Sequence, residues 1–144
     1  MELKRFKTLW GHEGPLTEAI AQVKEAGFSG IEAPVPDSGK GAAAFGEALA
    51  ENNLLWIQEI CTAGGYVPRR HATIEEHLED FEEKILSASG TGLKPQFVNI
   101  MGGCDAWTIE DSVRFFSEAQ DIADRHNVLA SFETHRGRSF FSPW

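Results

Sequence analysis

Five short apolar segments alternate along the chain with four stretches that carry the 3.6-residue periodicity of helices. This alternation constrains the fold more than any other feature. Strands joined through helices must run parallel, because a parallel pair needs a long crossover where an antiparallel pair needs only a turn. The strand candidates are Phe6–Trp10, Gly30–Ala33, Leu54–Ile60, Phe97–Met101 and Leu129–Glu133. The first helix is expected from Pro15 to Ala26, with Leu16, Ile20 and Val23 on one side and Gly27 as its left-handed stop. An Ala-rich second helix runs from Gly41 to Glu51 and closes at Asn52-Asn53. The third opens on Thr73-Ile74-Glu75-Glu76, a capping box, and presents Ile74, Leu78, Phe81 and Ile85 as one stripe. The fourth is capped by Thr108, carries Ile109, Val113, Phe116 and Ile122, and runs to about His126.

Two α/β architectures accommodate this order. One is a small doubly wound parallel sheet, which has about the length of this 144-residue chain. Such a sheet ends with a helix over its last strand. Only Thr134–Trp144 remains here, with Gly137 and Pro143 inside it, and no helix fits. The other is a partial (β/α)8 TIM barrel covering strands one to five. Successive strand starts average about 31 residues apart, so eight units would need about 246 residues, near the roughly 250 of that fold. The expectation is a single domain over residues 1–144, the N-terminal half of a barrel. A doubly wound sheet would hold strand one inside; a barrel orders the strands one to five. Open barrel edges predict a homo-oligomer, with Phe140, Phe141 and Trp144 as the groups to be buried in the partner.

Charge narrows the partners. Thirteen Lys and Arg against 22 Asp and Glu give a formal charge of −9. That balance argues against nucleic acid, which needs clustered cations, and against a polybasic membrane surface. No apolar run approaches the roughly 20 residues of a membrane span. The N-terminus MELKRFK lacks the apolar core of a signal peptide, so a cytoplasmic location is expected. Cys61 and Cys104 are the only cysteines and read as reduced thiols.

In either architecture ligands bind at the C-terminal ends of the strands, and those ends are polar. Period-two alternation turns Glu32, Asn99 and Glu133 away from the helices if Ile31, Val98, Ile100 and Phe132 face them. Gln58 and Glu59 end strand three, the side that Glu59 faces being open. Glu133 is followed by His135, Arg136 and Arg138, and an E-x-H pair at a strand end can bind a divalent ion or exchange a substrate proton. His12 and His71 read as hydrogen-bonding loop residues, and His77 and His126 as solvated helix residues.

The run from Phe132 to Arg138, continuing through Ser142-Pro143-Trp144, resembles the fifth-strand segment of the sugar phosphate isomerase/epimerase family, whose fold is the xylose isomerase-like TIM barrel. Phe28–Pro34 is similar to that family's second strand, and Asn99–Thr108 to its fourth. The resemblance implies a divalent-metal-dependent isomerase or epimerase, with Mn, Mg, Co or Zn as cofactor, acting on a small-molecule sugar or polyol by proton transfer next to a carbonyl. It implies that Glu133 is both catalytic base and metal ligand, and that His135, Arg138, Glu32, Gln58 and Asn99 meet the substrate. The family's other ligands, an Asp, a His and a Glu, lie on later strands. The alternative is therefore a non-catalytic half-barrel or assembly module that binds no metal itself.

Overall fold

The computed structural model describes residues 2–37 and 39–141. Its elements follow the expected alternation: β1 (Phe6–Thr8), α1 (Leu16–Glu25), β2 (Gly30–Ala33), α2 (Gly39–Glu51), β3 (Leu55–Cys61), α3 (Ile74–Ser87), β4 (Val98–Met101), α4 (Ile109–Arg125) and β5 (Ala130–Phe132). The helix starts have clear local causes. Thr73 Oγ1 accepts from the Glu76 amide at 3.2 Å, and the Glu76 carboxylate accepts from the Thr73 amide at 2.8 Å. Thr108 and Asp111 repeat that reciprocal box on α4. Each box satisfies two amides that the first helical turn leaves without partners.

The strands form one five-stranded sheet in the order β1-β2-β3-β4-β5. The pairs β1–β2, β2–β3 and β4–β5 are parallel, in registers that set Phe6 beside Gly30, Gly30 beside Leu55, and Asn99 beside Ser131. With β1 at an end of that order, the doubly wound alternative fails. The sheet is a partial barrel wall and is not closed.

Two compact units share the chain, each with its own core. The first holds residues 1–59 and 87–97. Its core is made by Ile20 and Val23 of α1, Ile31 and Ala33 of β2, Phe45 and Leu49 of α2, and Trp56 of β3. Trp56 meets the Phe45 ring edge-on at 5.5 Å and donates its indole N–H to the Ala33 carbonyl at 2.9 Å. The helix α2 lies so close to the 3-10 turn Ala88–Thr91 that a Cβ on Gly46 would sit 1.7 Å from the Thr91 carbonyl oxygen.

The second unit holds residues 60–86 and 98–144. Ile74, Leu78, Phe81 and Ile85 of α3 pack with Val98 and Ile100 of β4 and with Phe115, Ala119, Ile122 and Ala123 of α4. The α3 stripe is the expected one. The α4 stripe is not. Ile109 and Val113 are exposed, and the buried side runs through Phe115 instead. Phe115 wins because it reaches the buried His77 ring and the half-buried Trp107 ring, with centroids 5.8 and 5.5 Å away. Phe116 remains half-buried, edge-on to Phe132 and stacked on Phe140 at 4.1 Å. Trp144 and its neighbours Ser142 and Pro143 lie outside the described residues.

Two substitutions test these cores. Gly46→Ala should destabilise by about 3 kcal/mol, since main chain rather than a flexible side chain would have to move. Leu78→Ala should lower stability by about 2–5 kcal/mol, the range for a truncated core leucine. Urea unfolding reads both, and a neutral result at either site would contradict its packing.

Candidate functional site

On β4, Val98 and Ile100 are fully buried among the helices, so Asn99 and Met101 take the opposite side. On β5, Ala130 and Phe132 pack on the same core, and Ser131 and Glu133 take the opposite side. The Glu133 amide extends the ladder by donating to the Ile100 carbonyl at 2.8 Å. Register therefore sets Glu133 diagonally beyond Asn99, and the two side chains meet. Asn99 Nδ2 donates to Glu133 Oε2 at 2.7 Å. An amide that only donates from this nitrogen holds the carboxylate in one orientation.

After β5 the chain turns back on itself. The His135 amide donates to the Phe140 carbonyl at 2.7 Å, and the Arg138 amide to the His135 carbonyl at 3.1 Å. His135 Nδ1 lies 2.8 Å from the Arg136 carbonyl oxygen. A carbonyl can only accept, so Nδ1 carries the ring proton and Nε2 carries the lone pair. Ser139 Oγ accepts from the Cys104 amide and donates to the Cys104 carbonyl, both at 3.2 Å, tying this segment to the loop after β4.

Arg138, expected at the substrate, is wholly buried. Nη1 donates to the Thr62 carbonyl at 2.6 Å and to the Gly103 carbonyl at 3.4 Å, and Nη2 donates to the Gly65 carbonyl. Burial holds the guanidinium below its ordinary pKa, against the opposing pull of Cys61, Cys104 and Asp80. The side chain is committed to main chain, so its reach to a ligand is indirect.

Glu32 and Gln58 belong to the first unit. Ile31 lies in that unit's core, which turns the half-buried Glu32 to the other side, as expected. Gln58 departs from expectation. Trp56 packs on Phe45 of α2, and Gln58, two residues on, shares that helix-facing side. Glu59 takes the opposite side and is buried. The apolar-polar alternation stops at Ile57-Gln58-Glu59-Ile60, so only Trp56 could have set the phase.

His77 is the largest departure on the helices. It is fully buried rather than solvated. Its Nδ1 lies 2.6 Å from Thr62 Oγ1, and its ring meets Trp107 edge-on at 4.8 Å. Among the described residues its Nε2 has no hydrogen-bond partner. Burial, reinforced by the Arg138 charge, lowers its pKa to about 4, with Asp80 pulling the other way. The signal was present in the sequence. His77 stands three residues after Ile74 and four before Phe81, on the same helix face. His126 is partly buried and lies 2.7 Å from Glu82, whose carboxyl it helps hold below the ordinary range, together with Arg125. Asp80 and Lys84 complete the hold of α3 on the loop after β3. Asp80 accepts from the Ala63 amide at 2.6 Å, and Lys84 donates to the Cys61 carbonyl at 2.7 Å.

A divalent ion needs several oxygen or nitrogen donors around one point. Among the described residues no group of three or more His, Cys, Asp and Glu side chains could hold one. Glu133 offers one donor position, so these residues do not complete a metal site. No described helix is long and apolar enough to cross a membrane.

Five parallel strands in sequential order, each crossing over through a helix, decide the architecture. The chain has the fold of a partial (β/α)8 barrel. It is similar to an AP endonuclease, family 2, from Brucella melitensis, with a TM-score of 0.64, 18% identity and 90% of this chain covered. It is similar also to the 3-keto-D-glucoside 4-epimerase YcjR from E. coli, with a TM-score of 0.65, 16% identity and 95% covered. The chain spans 55% and 58% of those two proteins. The resemblance to the isomerase/epimerase barrels thus holds at the level of fold. Neither a protein-family model nor a curated protein matches the sequence.

The buried imidazole gives the protein an acid-sensitive component. Unfolded, His77 takes up its proton near pH 6.5; folded, only near pH 4. Its contribution is fully present above 6.5 and falls away as the pH drops from there to about 4. His77→Gln should flatten that part of a melting-temperature profile between pH 7.5 and 4.5. An unchanged slope would mean that His77 is not the group responsible.

Proposed function

We propose that this chain carries the proton-transfer portion of an isomerase or epimerase acting on a sugar or related polyol, with Glu133 as the base. The observation that supports the reading most is the Asn99–Glu133 hydrogen bond. It fixes a carboxylate at the C-terminal ends of two adjacent parallel strands, on the side away from the helices. Barrel enzymes place their chemistry at those ends. The likeness in fold to a 3-keto-D-glucoside 4-epimerase is consistent with it.

The step needs only the carboxylate and a carbonyl substrate. Glu133 removes the proton from the carbon next to the carbonyl. The C–H bond breaks, its electron pair forms a C=C bond, and the carbonyl π pair moves onto oxygen to give an enediolate. Return of that proton from the Glu133 carboxyl to the neighbouring carbon, with the hydroxyl proton of that carbon passing to the former carbonyl oxygen, gives the isomer; inversion at the same carbon requires a second proton donor on the opposite face of the enediolate. His135 Nε2 accepts a hydrogen bond from a substrate hydroxyl. Asn99 orients the base. Arg138 acts by holding the segment that carries His135. A divalent ion in this reading would take Glu133 as one ligand.

A second reading is a non-catalytic half-barrel or assembly module. Incubating the protein with keto sugars and Mn2+ in deuterium oxide separates the two. Carbon-bound deuterium should appear next to the carbonyl, and Glu133→Gln should slow its incorporation by about 100-fold or more. Stability should change by less than about 1 kcal/mol, because a glutamine oxygen still accepts from Asn99. Exchange that survives Glu133→Gln, or no exchange with any keto sugar, would overturn the catalytic reading.

A further inference from the structure

We propose that Tyr66 and His135 form an aromatic shelf that receives the C–H face of a sugar ring, which makes Tyr66 a substrate-positioning residue. The inference rests on the sugar-ligand reading given above. Tyr66 sits in a turn closed by the antiparallel bridge between Gly64 and Pro68 and by the Arg69 amide, which donates to the Ala63 carbonyl at 2.8 Å. The backbone enters this turn in unusual form. Ala63 has φ 51° and Gly64 φ 135°. A left-handed alanine is a conformation that the surroundings must impose, and such residues gather at binding sites. Here Asp80 imposes it by accepting from the Ala63 amide.

Arg138 then brings the turn to His135. Its guanidinium holds the Gly65 carbonyl, next to Tyr66, while its own amide donates to the His135 carbonyl. One buried side chain thus fixes both aromatic residues. Their ring centroids lie 6.0 Å apart with planes inclined by 33°. Both side chains are only half-buried, so the shelf is open to a ligand. It stands two residues beyond Glu133.

The chemistry of the shelf selects its ligand. The negative face of an aromatic ring attracts the weakly positive C–H bonds of a saturated ring. His135 Nε2 presents a lone pair, because Nδ1–H is occupied by the Arg136 carbonyl. A lone pair accepts from a neutral hydroxyl and repels a carboxylate or phosphate oxygen. Apolar C–H faces bordered by hydroxyl groups are the signature of a sugar.

Saturation-transfer NMR with methyl glucoside tests this apart from the chemistry, since that probe has no free carbonyl to react. The wild-type protein should transfer saturation to the ring protons of the glucoside. Tyr66→Ala should weaken binding tenfold or more without changing the melting temperature, and Tyr66→Phe should bind within twofold of wild type. Binding by Tyr66→Ala at wild-type strength, or no transfer to the wild-type protein, would overturn the shelf. Deuterium exchange that persists in Tyr66→Ala would leave the proton-transfer reading standing without it. Glucoside binding through Tyr66 with no exchange of any keto sugar would keep the shelf and defeat the catalytic reading.

Discussion

A guanidinium can be taken out of water only if its N–H groups find acceptors inside the protein. Arg138 meets that condition at Nη1 and Nη2 by gathering the carbonyls of Thr62, Gly65 and Gly103, which belong to the loops after β3 and β4, while among the described residues its Nε has no acceptor. The loops at the ends of the second unit's strands depend on this arrangement. Three carbonyls from two loops share one cation carried by the segment after β5. The planar fork of arginine supplies several donors in fixed directions; a lysine ammonium would supply a point charge at the end of a flexible stem. Gly137, with φ 76°, gives the main chain the left-handed step just before Arg138.

The same clamp explains why a histidine is buried in its neutral form. His77 shares Thr62 with Arg138, taking the hydroxyl where Arg138 takes the carbonyl. A second cation at that point would face the first across the same residue, in a site walled by Trp107 and Phe115. Neutrality of the imidazole is thus a condition for the clamp. Asp80, the acidic group that favours both charged forms, is itself engaged by the Ala63 amide and by Lys84 at 2.8 Å.

Local signals were legible wherever one physical cause acts alone. The capping boxes at Thr73 and Thr108, the α3 stripe and the parity of β4 and β5 all followed from spacing. Sequential strand order followed from chain length per unit and from the lack of a closing helix. Residues governed by two competing neighbours were harder to read. Ile109 and Val113 have core-like chemistry and core-like spacing. The face of α4 that is buried is instead set by aromatic contacts of Phe115 with Trp107 and with His77, the latter on a different helix. Gln58 failed for a related reason, since five consecutive residues of β3 are buried and no alternation marks the phase. Arg138 reads as a ligand-binding cation because burying an arginine is normally unfavourable. Only the convergence of three carbonyls, invisible in sequence, reverses that expectation.

These contacts also separate rigid from adaptable parts of the candidate site. Asn99 and Glu133 stand on or directly after paired strands, so their relative position is set by ladder register. Tyr66 and His135 stand on loops, and loops hold position only as well as their anchors do. The loops here are anchored from below by one guanidinium and from the side by α3 through His77, Asp80 and Lys84. A barrel strand end with fixed carboxylate geometry can therefore keep its chemistry while the loop above it changes the shape it accepts. Substitutions in the turn from Gly64 to Pro68 would then alter which ligand is received, and substitutions at Asn99 would alter how Glu133 is presented to it.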